Sequence, residues 1–312
     1  MIEKEALQRK YLKEHKTIDE ISRCFGVSQY PIRYWMKRHN IRNIERWERY
    51  GLKEFNQKQR EYLYGSLLGD DTLRMPTDGR YPFLAVSHGY KQKEYLEWKY
   101  GIWKQIVPGS IRIVRLKLKN GKTYQAYKFT TATHPDFLEF YNLFYKNNKK
   151  RITKEILNEL TPFSVAVWYM DDGYYRRSRG RAQLSTNSFS YKENLLIQRY
   201  FNEAWAISSN MGVSDNGTNY IWFNTENTIK FFKIIKDYII PYFNYKIDLE
   251  RKVLWQRIPE KDLQYIKSNY NIESPRLIAY KLDRSIGSIH NTAFKSGLTK
   301  PRGGKKYYKY DL

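Results

Sequence analysis

Two apolar runs of this chain end in acids: residues 63–71 read LYGSLLGDD and residues 165–173 read VAVWYMDDG. Each run follows a helix-start signal. Asn56 with Gln59 has the form of a capping box, and Thr161–Pro162 is an N-cap followed by proline at the first helical position. Each helix therefore delivers aspartate at its C-terminal end: Asp70 in one, Asp171 and Asp172 in the other. A helix C-terminus carries partial negative charge, so a carboxylate there is disfavoured by roughly 0.3–1 kcal/mol. Two such ends brought together repel further. A divalent cation between them reverses the sign of both effects, and oxygen-only ligation suits Mg²⁺. Gly65, Ser66 and Gly69 on one helix, with Ala166 on the other, permit close approach of two backbones, which would set Asp70 and Asp172 near one point. The bland alternative is that these acids terminate two unrelated helices. It suffices for a single DDG, but not for two copies that each follow a capped apolar helix.

The charge balance says what such a centre would act on. Lys and Arg number 56 against 32 acids, a net charge of +24, and such an excess points to a polyanion, with nucleic acid ahead of anionic membrane. Aromatic residues make up 17% of the chain, too many for a disordered basic tail. Cys24 is the only cysteine, so an intrachain disulfide and a cysteine zinc site are excluded. The histidines at 15, 39, 88, 134 and 290 do not fall at ligand spacing. The start is charged from residue 3, unlike a secretory signal, and no apolar run approaches the roughly 18 residues of a membrane span. The expectation is a soluble, non-secreted protein of a cytoplasm or an organelle matrix, with no membrane partner.

Three blocks follow along the chain. Residues 1–45 and 256–312 read as short, basic and helical; residues 57–255 alternate strands and helices with an internal echo, repeat one over 57–150 and repeat two over 151–255. Residues 46–56 read as a helical connector. In the first block, Ile21, Ser22, Phe25, Gly26, Val27, Ile32 and Trp35 fall where a helix-turn-helix needs them, with Gly26 making the turn, Ser28 capping the second helix and Pro31 in its first turn. Gln29, Tyr30, Arg33 and Lys37 would then face a major groove; a packing module without DNA contact would use the same pattern. The last block repeats it with Ile278, Ala279, Leu282 and Ile289, with Asp283 at the turn, Arg284 where an apolar residue is expected, and a basic tail over 300–310 that a plain solvated tail would also explain.

The paired acidic stretches resemble the signature of the LAGLIDADG homing endonucleases, in the single-chain form that carries two motifs. The likeness takes in GSLLGDD, NNKK (147–150), TPFSVAVWYMDDG (161–173), LSTNSFS (184–190) and IIPYFNYK (239–246). It implies an α+β fold: a pseudo-twofold core of two helix–strand–strand–helix repeats with two antiparallel sheets forming a saddle for DNA, flanked here by small all-α helix-turn-helix-like domains. It implies Asp70 and Asp172 as metal-binding residues, Asp171 as a lesser candidate, and Mg²⁺ as the cofactor with Mn²⁺ as a substitute. Lysines near the metals carry over to Lys150 and Lys246, at parallel distances from the two aspartates, with Lys149 as the alternative to Lys150. Two departures stand out. Asp71 occupies a place where glycine often ends the first motif, and Val167 and Trp168 are bulky for a closely packed helix pair.

Further residues are candidates for holding DNA. Asn120–Gly121 reads as a hairpin turn that sets Lys119 opposite Lys122 and Lys117 opposite Tyr124, with Arg115, Lys117, Lys119, Lys122, Tyr124 and Lys128 on one face, Arg112 close by, and a bulge near Val114. Just beyond the second motif, Arg176, Arg177, Arg179 and Arg181 would clamp phosphates, while Gln183 and Asn187 would read bases or position waters. Lys91 is a further contact, and His88 reads best as a surface histidine. By resemblance, the expected function is double-strand DNA cleavage by metal-assisted phosphodiester hydrolysis at a long site, by a monomer. The alternatives are a maturase that binds its own intron RNA, and a catalytically dead DNA-binding regulator of the same fold.

Overall fold

The computed structural model describes residues 2–45, 47–77, 79–117, 121, 123–249 and 257–299. At its centre two helices, Gln57–Leu68 and Pro162–Asp172, pack side by side. Their starts are as the sequence implies. Asn56 Oδ1 accepts from the Gln59 N–H at 2.9 Å while Gln59 Oε1 accepts from the Asn56 N–H at 3.0 Å, and Thr161 Oγ1 accepts from the Ser164 N–H at 3.2 Å ahead of Pro162. Such caps satisfy N–H groups that have no intrahelical partner. Both helices are buried on all sides, with Tyr62 to Leu68 and Phe163 to Met170 out of water, as their unbroken apolar runs require.

The pair touches through glycine on one side only. A Cβ built on Gly65 would stand 2.1 Å from the Ser164 carbonyl oxygen and 2.9 Å from the Val167 Cβ. One built on Gly69 would stand 2.6 Å from the Asp171 Cβ. Val167 is therefore accommodated by the missing side chain opposite it, and the close contact runs through Ser164 and Val167 rather than Ala166. Replacing Gly65 by alanine must push two backbones apart. The expected cost is about 1–3 kcal/mol from overpacking, read as a lower urea midpoint, whereas Gly101→Ala, with open space around its Cβ, should gain or leave stability unchanged.

Each motif helix opens the same succession of elements. In the first repeat come β1 (Thr72–Arg74) and β2 (Phe83–Gly89), a helix (Lys93–Trp103), β3 (Arg112–Lys117) and β4 (Thr123–Thr130), and a helix (Asp136–Phe144). In the second come β5 (Gly173–Arg176) and β6 (Arg181–Leu184), a helix (Tyr191–Trp205), β7 (Asn210–Val213) and β8 (Asn219–Trp222), and a helix (Thr225–Ile235). Both sheets are four-stranded and antiparallel, ordered β1-β2-β4-β3 and β5-β6-β8-β7. The duplicated order makes the core pseudo-twofold about the motif helices. One hydrophobic cluster spans both repeats, while separate small clusters sit under the N-terminal helices (Leu7, Tyr11, Ile21, Ile32, Met36) and the C-terminal helices (Ile266, Tyr270, Ile278, Ile289).

The terminal blocks take the helix–turn–helix form. Helices Ile18–Phe25 and Gln29–Arg38 are joined through Gly26 at φ +63°, a conformation that favours glycine. Ser28 stands at the N-cap but its side chain makes no capping hydrogen bond. Helices Pro275–Lys281 and Ile286–Lys295 turn at Asp283, which takes φ +52° in place of glycine, and Arg284 lies buried against Asp262 at 3.4 Å.

Three sequence expectations change. The connector at 46–56 is helical only over a short 3₁₀ turn, Trp47–Tyr50, which Gly51 ends at φ +68°. The β3–β4 pairing runs Arg112 opposite Lys128 to Lys117 opposite Thr123, one residue away from the register expected of a two-residue turn. A one-residue slip exchanges faces along a strand: Arg112, Tyr124 and Lys128 share one face, while Arg115 belongs to the other. The register is also unbroken at Val114, so β3 carries no bulge there. Ile113 is 55% exposed on the outer strand of the sheet, while Tyr127 opposite it on β4 is buried. Lys119 and Lys122, like the tail at 300–310, lie outside the described residues.

Candidate metal centre and nucleic-acid interface

The end of each motif helix is held by one lysine from a distant part of its own repeat. Lys150, on the short ribbon Tyr145–Lys146/Lys149–Lys150, donates to the carbonyls of Gly69 at 2.8 Å and Asp71 at 2.6 Å. Lys246, at the end of the 3₁₀ helix Pro241–Lys246, donates to the carbonyls of Met170 at 2.6 Å and Tyr169 at 3.4 Å. A cation at a helix C-terminus offsets the partial charge that disfavours the nearby aspartates. Of the two candidates in the first repeat, Lys150 makes these contacts and Lys149 points to solvent.

Asp70 and Asp172 share one end of the packed helix pair, where like charges act on both. Burial first, and then the Asp171 carboxylate, raises Asp70 to about 6. Burial first, and then Asp70, raises Asp172 to about 8. Lys99, Lys150 and Lys246 offset these charges only in part, and among the described residues no lysine or arginine pairs with either carboxylate, which is the donor chemistry an Mg²⁺-sized ion fits. The Asp70 side chain keeps 46% of its surface exposed, so solvent screens it and its rise is the smaller of the two. His88 adds a nitrogen beside it, with Nδ1 3.7 Å from Asp70 Oδ2 and Nε2 3.9 Å from Asp171 Oδ1. Asp70, His88 and Asp171 thus form a compact group of potential metal ligands.

Asp71 and Asp171 are both bound by Lys99, but burial still holds Asp71 above the usual carboxylate range while Asp171 falls below it. Lys99 is fully buried, with its ammonium 2.9 Å from Asp71 Oδ1 and 2.8 Å from Asp171 Oδ1. Tyr62 donates to Asp71 Oδ2, Tyr95 donates to Asp171 Oδ1 at 2.7 Å, and the Asp70 N–H donates to Asp171 Oδ2 at 3.3 Å. Burial would pull Lys99 down, but Asp171 and Asp71 outweigh it and hold the ammonium above its usual range. Burial likewise opposes the ionised Asp171, and Lys99 outweighs it. Every oxygen of Asp171 is therefore engaged by the protein, as are both of Asp71, so Asp70 and Asp172 remain as the acids free to take a cation. Among the described residues of the second repeat no matching network is present: its equivalent helix turns Ile197 and Phe201 inward.

The sequence carried signals for both missed residues. Lys99 sits on the apolar stripe of Tyr95, Leu96 and Trp103, where a lysine needs an acid partner. His88 shares strand parity with Leu84 and Val86. It is buried rather than a surface histidine, its Nε2 has no hydrogen-bond partner, and burial first, then Lys99, lowers it to about 3, so the imidazole is neutral.

The basic candidates divide. Gln29, Tyr30, Arg33, Lys37, Arg112, Arg115, Arg176 and Arg179 are exposed, and Tyr124 nearly half so. Arg181 stacks its guanidinium 4.1 Å from the Trp222 ring centre, beside Gln183 opposite Trp222. Three are committed elsewhere: Arg177 donates to the Asp248 carbonyl, Asn187 to Thr218 Oγ1 at 2.7 Å, and Lys91 to the Tyr270 carbonyl, tying the core to the C-terminal helices. No helix among the described residues is long and apolar enough to cross a membrane.

A family model described as the LAGLIDADG DNA endonuclease family matches residues 60–231, over half of the chain and both motif helices. This chain belongs to the LAGLIDADG DNA endonuclease family. The cytochrome b mRNA maturase bI2 of Debaryomyces hansenii is 27% identical over 220 residues, 69% of this chain and 80% of that protein. The Saccharomyces cerevisiae protein of the same name is 30% identical over 196 residues, 59% of this chain but only 46% of that protein. Among solved structures, the homing endonuclease I-WcaI bound to its DNA recognition sequence superposes with a TM-score of 0.61 at 22% identity, over 65% of this chain and 92% of that one. That likeness bears on the LAGLIDADG fold, with its helix pair and its two sheets.

The crowded carboxylates give a pH prediction. A carboxylate raised on folding keeps a proton that the unfolded chain has released, so its contribution to stability is lost as pH rises through the folded value. Metal-free protein should therefore lose melting temperature between the ordinary carboxylate range and about pH 8. Mg²⁺ should restore more at the upper end than at the lower, and Asp172→Asn should flatten the profile. A thermal melt with and without EDTA across that range measures this; an unchanged slope in Asp172→Asn overturns it.

Proposed function

We propose that this chain is a monomeric, site-specific endonuclease that hydrolyses one phosphodiester in each strand of double-stranded DNA with Mg²⁺. What supports the reading is the packing of the two motif helices, which sets the Asp70 N–H 3.3 Å from Asp171 Oδ2 and leaves Asp172 within reach of the Asp70 charge, with a lysine closing the end of each helix. A bound divalent cation supplies Lewis acidity to the phosphate and to the attacking water. Asp70 and Asp172 would hold it, and the close fit at Gly65 and Gly69 keeps the two carboxylates in register. Lys246, drawn by burial to about 8, gives an ammonium that can lose or return a proton near neutral pH beside the reacting centre. Lys150, also lowered by burial, stands equivalently in the first repeat. The exposed cations of both sheets and of the helix Gln29–Arg38 would hold the duplex, and a count of several phosphates makes binding steeply salt-dependent.

A second reading is favoured by the names of the two yeast relatives: a maturase that binds its own intron RNA. A plasmid carrying the joined flanks of the gene's own insertion point separates the two. Linear product with Mg²⁺ and none with EDTA supports the nuclease. Binding without cutting in any divalent metal, together with rescue of intron splicing by Asp172→Asn, supports the maturase.

A further inference from the structure

A cavity of about 430 Å³ lies where the second sheet meets the C-terminal helices. Tyr174 and Arg176 of β5 form one wall, Lys246 the floor towards the motif helix, and Arg276 with Ser285 and Ile286 the opposite wall. No described residue lining it is acidic. Arg276 spans the junction, its guanidinium 4.7 Å from the Tyr174 ring centre. Ser285 caps the ten-residue helix Ile286–Lys295, whose positive end is thereby part of the lining. The floor belongs to the candidate cleavage centre, because Lys246 also holds the Met170 carbonyl two residues before Asp172. Like charges so gathered repel, and Arg276 adds to the burial that lowers Lys246. Arg284, which also lines the cavity, is held by Asp262 and is not needed here.

We propose that this cavity seats one phosphate of the DNA backbone beside the scissile position, and that the core and the C-terminal helices build the seat together. The inference rests on the endonuclease reading. An anion seated there would lie among Arg176, Arg276 and a helix N-terminus, with the field of Lys246 beneath it, and the tyrosine rings would leave an apolar flank for the attached sugar. The C-terminal block is thus a wall of the binding site next to the cut and not a separate anchor. Arg276 supplies its charge from an exposed position, so its replacement spares the core.

The test uses the full chain and a duplex that the wild type binds. In Arg276→Gln the slope of log affinity against log salt should fall by about 0.9, the contribution of one phosphate contact. Between 50 and 200 mM salt this amounts to a roughly threefold smaller loss of affinity. Arg276→Lys should keep the wild-type slope. A neutral methylphosphonate walked along each strand should weaken wild-type binding at one position near the cut that no longer matters in Arg276→Gln. An unchanged slope, an unchanged interference pattern, or loss of slope in both variants with a lowered melting temperature overturns the seat. If the wild type itself neither binds nor cuts the duplex, the endonuclease reading fails instead.

Discussion

Asp172→Asn yields a protein that binds DNA and does not cut it. The carboxamide keeps the shape of the side chain and removes the charge that a divalent cation would meet. The cation is being asked for several kcal/mol of charge stabilisation, so cleavage should fall on the order of 10³-fold or more, and Asp70→Asn should do the same. Binding should hold or improve, because a negative charge is taken from beneath a polyanion. Metal-free stability should rise, since Asp172 is raised to about 8 by burial and by Asp70 beside it. Asp171→Asn is the contrasting variant: its oxygens serve Lys99, Tyr95 and the Asp70 N–H, so it should lower the melting temperature first. Single-turnover cleavage, gel-shift binding and a melt on the same three proteins separate these outcomes. Residual cutting by Asp172→Asn near the wild-type rate would sink the two-aspartate centre.

Lys99→Met should be among the most destabilising single substitutions in this chain. The methionine fits the space, but the Asp71 and Asp171 carboxylates are left buried without their shared ammonium. Removing one partner of a buried pair costs about 3–5 kcal/mol, a large share of the 5–15 kcal/mol by which domains are stable. The combined variant Lys99→Met, Asp71→Asn, Asp171→Asn leaves only neutral groups there and should recover most of that loss. Urea unfolding of the wild type and these two variants measures it. A Lys99→Met midpoint equal to that of the wild type would mean that the two acids have another counter-ion.

The first of these sites was legible before any coordinates, and the second was not. Asp70 and Asp172 announce themselves because each ends a capped apolar helix, and helix ends are set by local chemistry: Asn56 with Gln59, Thr161 with Pro162, Gly69 after Leu68. The turn at Gly26 and its counterpart at Asp283 could be read for the same reason. The β3–β4 register could not. Asn120–Gly121 favours a tight turn, yet the pairing of Lys117 with Thr123 depends on the rest of the sheet, and one residue of slip puts Arg115 on the face away from Tyr124 and Lys128.

Lys99 and His88 show where the boundary runs. Their neighbours in the chain describe an apolar helix face and an alternating strand, and so say that both residues turn inward. Nothing local says what they meet there. That Lys99 lies between acids from two different repeats, and that His88 stands beside Asp70, follows from the packing of the two motif helices through Gly65 and Gly69. Capping, helix length and charge are properties of a few adjacent residues. The pairing of a buried ammonium with two carboxylates depends on distances across the core, and those exist only once the helices have closed on each other.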